Sequence, residues 1–509
     1  MIGPMNTDVV ISGGGPVGLM LACELRLRNV NVLVVERLAE PDRTIKAGSV
    51  SLTTAEAFYR RGLLPAVDAV VQQNAEQIKA FLKSRGGGGP KAAMPVGHFA
   101  GIMVASTGVH FDDPDFRDVG PASRLVVIQQ QAVEAILGER AAELGAEIRR
   151  GVELTGFDAD DGGVTVRLGD GGTVHAGWLV GCDGGRSFVR KNAGFAFPGT
   201  DPAITGRQAL AELTGVEALP GGWQHGNGGL YVYGPTPGRM LTVEFDGPPE
   251  DRTAPITAQE LEESFRRVSG ADIRVTKVHS ATRFTDNARQ AATYRQGRVL
   301  LAGDAAHVHS PFGGQGLNLG IGDAVNLGWK LAATIQGWAP DGLLDTYTTE
   351  RHPIGEWVLE WTRAQVALMR SDVRTKALRR VVAELLHTDD GATHLAKKLS
   401  GVLHRYPIDG EHDLTGRGAP DFAFADGTRL GDHLHDGGAL LLDLAESAEL
   451  RETASGWAGR VGTLTVKCVS EPGLTGVLIR PDGYIAWASE DGSVAGLDAA
   501  LRRWFGEPA

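Results

Sequence analysis

Three glycines near the start of the chain have the spacing of a phosphate-binding loop. Gly13, Gly15 and Gly18 form a G-x-G-x-x-G that follows the apolar run 9–11 and opens a helical pattern. In such a loop the first glycine permits a tight turn, the second lets the backbone approach a pyrophosphate, and the third allows close helix–strand contact. The N-terminus of the following helix offers unpaired N–H groups and a positive dipole end. The arrangement predicts a dinucleotide site.

An acidic residue stands where the ribose of a dinucleotide needs a hydrogen-bond acceptor. A second apolar run, 30–35, ends in Glu36, eighteen positions after Gly18. At the tip of a strand its carboxylate can accept hydrogen bonds from ribose hydroxyls. A lone glycine motif means little in a chain with 70 glycines, but strand, glycines, helix, second strand and acid in this order are far more specific.

A second stretch with ligand-binding character is GRVLLAGDAAHVHSPFGGQGLN, residues 297–318. The run 299–302 predicts a strand, and Asp304 follows its C-terminal end, where α/β folds place ligand contacts. A carboxylate there can bind a sugar-like polyol. The GGQG that follows starts a long predicted helix, whose N-terminus can stabilise negative charge on a cofactor. His307 and His309 lack a third metal ligand nearby, so we interpret them as turn residues.

Two polar residues between these stretches are candidates for cofactor contact, each with a plainer alternative. Lys46 lies in a loop that faces back toward the nucleotide, and it is either a cation beside the cofactor or a solvated charge. Gln130 stands where a predicted strand, 125–128, meets a predicted helix, and it either reaches a cofactor or is solvated. Between them the pattern predicts a helix to residue 61, with Thr54 as N-cap and Gly62 as its stop.

Alternating apolar residues and glycine turns predict two antiparallel regions. Residues 152–179 predict a β-meander that leads into Asp183-Gly184 and a helix carrying Arg190. Residues 195–283 are rich in glycine and proline and predict a second antiparallel sheet. Its aromatic residues either pack in a core or line a pocket for a flat ligand: Trp223, His225, Tyr231, Tyr233 and Phe245.

The composition restricts the class of protein. A length of 509 residues predicts two or three domains, and 42% hydrophobic with 22% charged residues is enough to build sizeable cores. A net charge of -12 argues against nucleic acid or an anionic membrane as partner. The absence of a signal sequence or a long apolar run predicts a soluble, cytoplasmic protein. Cys23, Cys182 and Cys468 have neither disulfide nor metal-site spacing.

Three motifs in this order resemble the single-component flavoprotein aromatic hydroxylases: the fingerprint from Gly13 to Glu36, Asp183-Gly184, and Gly303-Asp304. The similarity spans the whole chain and looks closest to the branch that acts on aromatic polyketides and on antibiotics such as rifampicin. The resemblance implies FAD, transiently bound NADPH, and O2. It also implies a small aromatic substrate that is hydroxylated through a flavin C4a-hydroperoxide, with no protein nucleophile required.

The resemblance also implies roles for individual residues. Glu36 would bind the adenosine ribose and Asp304 the ribityl chain, while Lys46 and Pro311 would lie at the reacting ring. Relatives usually carry arginine where this chain has Lys46 and Thr53, and lysine lacks the planar fork of arginine. The full set of implied cofactor contacts is Gly13, Gly15, Pro16, Gly18, Glu36, Arg37, Lys46, Gln130, Asp183, Arg190, Gly303, Asp304, Pro311, Gly313, Gly316, Leu317 and Asn318.

The implied architecture is α/β with three parts. A Rossmann-type FAD-binding domain like that of para-hydroxybenzoate hydroxylase, with a helical extension, would comprise 1–75, 102–195 and 284–400. An inserted antiparallel-sheet substrate domain would comprise 76–101 and 196–283. Residues 401–509 would form a thioredoxin-like domain without a C-x-x-C. A homodimer is left open.

Several other activities are weighed against hydroxylation. Baeyer–Villiger oxygenation and epoxidation use the same motifs, and a flavoprotein that mainly sequesters an antibiotic would share them too. Substrate-dependent NADPH oxidation separates the last case from the others. A flavin halogenase would need a W-x-W-x-I-P stretch, which this sequence lacks.

Overall fold

The structure, a computed structural model, describes residues 5–84, 95–122, 126–217, 219–226, 228–234, 236, 238–251 and 254–509. Its strands are β1 (Met5–Ser12), β2 (Val32–Glu36), β3 (Pro95–Phe99), β4 (Ile102–Ala105), β5 (Glu147–Arg150), β6 (Leu154–Ala159), β7 (Val164–Leu168), β8 (Thr173–Gly181), β9 (Gly199–Thr200), β10 (Thr205–Thr214), β11 (Gly222–His225), β12 (Gly229–Tyr233), β13 (Arg239–Glu244), β14 (Arg274–Phe284), β15 (Ala288–Gln290), β16 (Arg295–Gln296), β17 (Val299–Leu301), β18 (His307–Val308), β19 (Ala439–Asp443), β20 (Val461–Thr465), β21 (Gly476–Ile479) and β22 (Ile485–Ser489). Its helices are α1 (Pro16–Leu27), α2 (Leu52–Tyr59), α3 (Leu64–Ser84), α4 (Gln130–Glu143), α5 (Phe188–Asn192), α6 (Ala258–Ser269), α7 (Gln315–Ile335), α8 (Thr346–Leu368), α9 (Val373–Leu386), α10 (Asp389–Ser400), α11 (Ala448–Ala454) and α12 (Leu497–Phe505).

The central sheet brings the two ligand-binding stretches of the sequence to one edge. Its order is β16-β17-β8-β1-β2-β5; β17, β8, β1, β2 and β5 run parallel to one another, and β16 is antiparallel to β17. Ile11 of β1 pairs with Val34 on one side and with Val180 on the other, and all three are fully buried. Parallel strands end at the same edge, so the loops after β1, β2, β8 and β17 lie together.

Helices cover this sheet, as expected for buried parallel strands. α1 packs against both α4 and α7. The predicted β-meander is confirmed as β6, β7 and β8, with β7 joining β8 antiparallel. The mixed α/β class predicted from the sequence is thereby confirmed.

The second antiparallel sheet has the order β11-β12-β13-β10-β14 and comes between β8 and β17 in the sequence. α6 packs on one of its faces through Leu261, Phe265 and Val268, which recur at helical spacing and are buried. Thr257 caps the start of α6, and Gly270 ends it in the left-handed conformation.

Residues after α10 form a four-stranded sheet in the order β20-β19-β21-β22, with α11 and α12. Buried charges join this part to the rest of the chain. The guanidinium of Arg480, in the turn between β21 and β22, donates to Glu350 of α8 at 2.8 Å. Lys330 of α7 donates to the same carboxylate at 2.7 Å. Removing one partner of such a buried group is costly, because the others keep uncompensated charge.

Two local predictions from the sequence are wrong. α2 begins at Leu52, and its N-cap is Ser51, whose Oγ accepts from the N–H of Thr54. Thr54 is therefore inside the helix. The predicted strand 125–128 is absent over 126–128, because Val126 makes only an isolated bridge to Val50; residue 125 lies outside the described residues.

Two helices extend further than local sequence predicts. The glycine-rich run 86–90 predicts an exposed loop within 75–101, but α3 continues to Ser84. Pro353 and Gly355 predict breaks in the helical pattern, but α8 runs through both. Glycine fits there because a Cβ at Gly355 would stand 2.7 Å from the hydroxyl of Tyr294. Close packing, which no local pattern reveals, therefore favours glycine at this position.

Among the described residues, no helix combines the length and apolarity that crossing a bilayer requires.

Candidate active site

The turn between β1 and α1 requires glycine at positions 13 and 18 and leaves the space beside Gly15 empty. Gly13 has φ +112°, and its N–H donates to the carbonyl oxygen of Val35 at 2.8 Å. A side chain on Gly13 would collide with the carbonyl oxygen of Cys182, and one on Gly18 with the carbonyl oxygen of Gly13. Nothing lies within 4 Å of where a Cβ of Gly15 would stand. The loop therefore closes through Gly13 and Gly18 and exposes its backbone at Gly15.

Helix α1 begins at this exposed backbone. Gly15 is its N-cap and Pro16 its first residue, and no side chain caps it. Proline fits there because its missing N–H would have had no partner. The N–H groups of Val17 and Gly18 belong to the first turn and have no acceptor within the helix. They can donate to an anionic ligand beside Gly15.

The carboxylate of Glu36 is fixed beside the glycine loop. Its Oε2 accepts from the N–H of Gly14 at 2.7 Å, and its Oε1 accepts from the N–H of Leu38 at 2.9 Å. Each oxygen keeps a second lone pair for a ligand hydroxyl. Arg37, the next residue, is exposed.

Asp304 follows β17 and faces the start of α7. Gly303 before it has φ +62°, and the Asp304 side chain is exposed with no hydrogen bond to the described residues. Its Oδ1 lies 3.9 Å from where a Cβ of Gly316 would stand. Nε2 of His309, buried and without a partner among the described residues, lies 3.5 Å from that point. The carboxylate of Asp304, the imidazole of His309 and the backbone at Gly316 therefore line the same space.

The first turn of α7 is held to α2 by an amide. The N-cap of α7 is Gly314, at φ +65°, and no side chain caps the helix. Asn318 donates to the carbonyl oxygen of Gly314 at 2.8 Å and accepts from the N–H of Ser51 at 2.8 Å. The N–H groups of Gly316 and Leu317 remain at the end of the helix that attracts negative charge.

The segment before α7 is fixed from α8. Pro311 is exposed, whereas Phe312 is buried and its carbonyl oxygen accepts from Nε2 of Gln365 at 3.2 Å. Gly313 has φ +84°, and a Cβ there would stand 2.9 Å from the same Nε2. This close approach requires glycine at position 313.

A buried acid that sequence reasoning missed holds the Asp304 turn in place. Asp323 of α7 accepts from the N–H of Gly303 at 3.0 Å, from the ring of His307 at 2.7 Å and from Nε of Arg351 at 2.8 Å. Burial opposes its ionised form, but His307 and Arg351 lower the pKa of its carboxyl below the usual value. His307 therefore pairs with an acid, and no group of described residues has the donors for a metal ion. The sequence signal for this role is that Asp323 is the one acidic residue in the largely apolar pattern of α7.

Asp183 and Arg190 connect two loops of the site. Oδ2 of Asp183 accepts from the N–H groups of Phe188 and Val189 in the first turn of α5, whose N-cap is Ser187, while its Oδ1 is buried without a partner among the described residues. The guanidinium of Arg190 donates to the carbonyl oxygens of Gly185 and Ala305, both at 2.9 Å. All of these hydrogen bonds are made within the protein, so contact of Asp183 and Arg190 with a cofactor stays a prediction.

Lys46 and Gln130 lie on neighbouring segments. The N–H of Gln130 donates to the carbonyl oxygen of Ala47 at 2.9 Å, and its Nε2 donates to Glu134 at 2.9 Å. Lys46 is 43% exposed and pairs with Asp42 at 3.0 Å. Burial raises the pKa of Glu134, and Lys46 is among the groups that oppose the rise. The ion pair with Asp42 also suits a solvated loop charge, so the role of Lys46 stays a prediction.

The five candidate residues for substrate binding divide between the two faces of the second sheet. Trp223 and Phe245 belong to the apolar cluster that contains Phe312. Tyr231 and Tyr233 belong to the cluster with α6 on the opposite face. His225 pairs with Leu230 of the Phe312 cluster across β11 and β12, which places it with Trp223. This placement favours core packing for the two tyrosines.

Thr53 lines a cavity on another side of α7. The empty volume of the cavity is about 850 Å³, including its opening to solvent. Asn318, Arg351, His404 and Tyr406 also line it. It lies between α2, α7 and the chain after α10. Thr53 donates to the carbonyl oxygen of Ser400 at 3.3 Å.

The residues brought to this edge match the parts of a flavin dinucleotide. Gly15 and the start of α1 offer backbone to a diphosphate, Glu36 and Asp304 offer carboxylates to sugar hydroxyls, and α7 offers its N-terminus to an electron-rich ring. The open backbone at Gly15 and the unpartnered carboxylate of Asp304 are the observations that fit FAD.

Comparison with known proteins decides the family. A family described as "FAD binding domain" matches residues 6–362, and one described as "Aromatic-ring hydroxylase, C-terminal" matches residues 412–508. The chain belongs to the FAD-dependent aromatic-ring hydroxylases. The FAD, the use of O2 and the monooxygenase class implied by the sequence are thereby confirmed, and NADPH is the usual reductant of this family.

Relatives of this aromatic-ring hydroxylase act in antibiotic chemistry. A 12-dehydrotetracycline 5-monooxygenase/anhydrotetracycline 6-monooxygenase of Streptomyces rimosus is 43% identical, with 99% of this chain and 100% of the relative aligned. A rifampicin monooxygenase of Streptomyces venezuelae is 41% identical over 98% of each. The solved structure of the anhydrotetracycline hydroxylase OxyS of S. rimosus superposes with a TM-score of 0.87 at 40% identity and covers 99% of this chain and 100% of OxyS.

Proposed function

We propose that this monooxygenase hydroxylates a flat polycyclic aromatic substrate of the polyketide or antibiotic type. The observation that carries the proposal is the aromatic lining beside the start of α7. The ring of Phe312 lies 6.0 Å from that of Trp223 and 5.9 Å from that of Phe284, each at a steep angle. Trp223 and Phe284 are only partly buried, so their rings can bind a flat ring system by apolar burial and ring contact while Phe312 packs behind them.

The protein's contribution to the reaction is binding, orientation and exclusion of water. When bound, FAD supplies hydride acceptance from NADPH and activation of O2. Asp304 and Glu36 would hold its sugar hydroxyls, and the first turn of α7 would steady negative charge on its ring. Phe312 is buried and, with Trp223, keeps water from the reacting edge of the substrate.

The division of the chain is part of the proposal. We assign 1–75, 102–195 and 284–400 to FAD binding, 76–101 and 196–283 to the substrate, and 401–509 to a thioredoxin-like domain. The sheet order β20-β19-β21-β22 with α11 and α12 supports the last assignment. That domain holds Cys468 and no C-x-x-C, so a structural role follows. A cytoplasmic location and a homodimer remain predictions.

Turnover with a panel of polycyclic phenols tests the proposal. Hydroxylation requires NADPH oxidation that depends on the phenol and a product heavier by one oxygen atom. A Baeyer–Villiger product or an epoxide has the same mass and is identified by NMR of the product. Binding without NADPH oxidation would instead indicate a sequestering protein.

A pair of variants ties the activity to the aromatic lining. Trp223→Leu, beside Phe312, should weaken substrate binding and uncouple NADPH oxidation from product. Tyr231→Phe alters the opposite face of the sheet, where Tyr231 packs 4.9 Å from Phe265, and should leave both unchanged.

A further inference from the structure

One face of the second sheet, which we call the Phe312 face, is set by strand alternation. Leu241 and Val243 of β13 lie in the same cluster as Phe312. Alternate residues of a strand share a face, so Arg239 lies on it as well. The registers add these neighbours on β10 and β14: Leu210, Gln208, Gly206, Ser280, Thr282 and Phe284.

Four polar groups on this face have unused hydrogen-bonding capacity. Nε2 of Gln208, Nε2 of His225, Nε of Arg239 and Oγ of Ser280 are buried and lack a partner among the described residues. Buried polar atoms are nearly always paired, so a cluster of four exceptions on one face calls for an explanation.

The opposite face of the same sheet differs. There Arg207 donates to Glu244 at 2.9 Å and to Glu260 of α6 at 2.7 Å. Thr242 and Ser264 share a hydrogen bond of 2.7 Å. These polar side chains of the opposite face are thus paired within the protein, whereas the four buried atoms of the Phe312 face are not.

The charge around these groups is positive. Neither Arg239 nor Arg379 of α9 pairs with a carboxylate of the described residues, and Arg379 donates to the carbonyl oxygen of Ala100 at 2.6 Å. Burial, together with these arginines, lowers the pKa of His98 to about 4, so that ring is neutral at pH 7. In a chain of net charge -12, two half-buried cations without an acid favour an anionic partner.

The polar and aromatic ends of the face are separated by the length of a fused ring system. Arg239 and Ser280 flank Leu210 of β10 on either side, because both pair with it. Phe284 and Val243 likewise both pair with Gly206 of β10, four residues along the strand. Four residues along a strand span about 13 Å. A fused polycyclic ligand reaches from Phe284 to Arg239, and a single ring does not.

We propose that Arg239, with Gln208 and Ser280, binds an acidic oxygen group of the substrate at the end remote from the oxygenated ring. The group is a carboxylate or an ionised hydroxyl, and Arg239 is the residue that determines this specificity. The inference rests on the proposed function, because it concerns the same substrate site. A guanidinium can donate two parallel hydrogen bonds to such a group.

Two anthraquinones make a matched pair of probes. Rhein and chrysophanol share the dihydroxyanthraquinone skeleton and differ by a carboxylate in place of a methyl group. The FAD-loaded enzyme should bind rhein at least about tenfold more tightly, as measured by quenching of tryptophan fluorescence. Arg239→Gln should remove that preference by weakening rhein alone, and Arg239→Lys should restore part of it. Arg274→Gln, in the same sheet with its side chain 61% exposed, should retain the preference.

The outcomes separate this inference from the proposed function. Equal affinity for the two probes, a preference that survives Arg239→Gln, or no binding of either probe would overturn the inference. NADPH oxidation stimulated by chrysophanol but not by rhein would also overturn it and leave the proposed function intact. Preferential binding of rhein that Arg239→Gln abolishes, with no NADPH oxidation from any aromatic probe, would support the acid site and contradict hydroxylation.

Discussion

Asp323, inside α7, accepts a hydrogen bond from the backbone N–H of Gly303 at 3.0 Å and so holds the turn that presents Asp304. The same carboxylate pairs with His307 and Arg351, and all of these groups are buried. One acid thus couples the stability of the helix to the geometry of the cofactor-binding turn.

We predict that Asp323→Asn destabilises the protein and lowers its FAD content. The amide keeps the shape of the side chain but leaves the buried guanidinium of Arg351 without its counter-charge. Loss of one partner from a buried pair costs about 3–5 kcal/mol in the free energy of unfolding. Urea denaturation and the ratio of absorbance at the flavin band to that at 280 nm measure the two effects. Asp341→Asn, at an exposed position, is the control; equal stability of both variants would contradict the prediction.

Asp304→Ala should purify largely without FAD. The exposed carboxylate has no hydrogen bond within the described residues, so its removal spares the fold and costs the ligand a charged acceptor. Such a hydrogen bond is worth roughly 1.5–3 kcal/mol, or about tenfold or more in affinity. FAD titration of the apo-protein measures this loss, with Asp112→Ala as an exposed control. A fully loaded, yellow Asp304→Ala protein would refute the sugar-binding role.

The stability of the protein should fall as the pH is lowered from about 6.5 toward 4. His98 is held neutral because burial and the cations Arg239 and Arg379 lower its pKa to about 4. The unfolded chain takes up this proton near pH 6.5, so protonation favours unfolding within that window and stability rises with pH there.

His98→Asn should flatten this pH dependence, by up to about 1.4 kcal/mol per pH unit. Urea titrations between pH 4 and 7 give the slope. His175→Asn is the control, since His175 is exposed. A slope that is the same in His98→Asn and wild type would show that the ring does not titrate as described.

The sequence suffices for those parts of the site that depend on consecutive residues. The glycine loop, Glu36 at the end of β2 and Asp304 after β17 lie where their patterns predict, because strand order and helix starts are local signals. Asp323, by contrast, lies twenty positions after Gly303 along the chain and reaches its N–H only through the packing of α7. No local pattern shows that contact.

The faces of the second sheet show the same limit. Alternation shows that Trp223 and His225 share a face, as do Tyr231 and Tyr233 on the next strand. Which face meets Phe312 and which meets α6 depends on how the sheet docks. Arg239 has no motif at all, and only the absence of partners within the described residues draws attention to it.

The loop of Lys46 allows a test of whether its cation serves the cofactor or only Asp42. Beside the flavin or nicotinamide, the ammonium would favour the anionic reduced flavin and orient the hydride donor. Lys46→Met should then keep FAD but slow flavin reduction by NADPH in anaerobic stopped-flow with substrate present, and Lys46→Arg should recover part of the rate. Asp42→Asn removes the partner 3.0 Å away and keeps the cation, so it serves as the matched control. If Lys46 is only a solvated partner of Asp42, then Lys46→Met and Asp42→Asn will both reduce the flavin at the wild-type rate. Slow reduction in Lys46→Met alone assigns the charge to the cofactor.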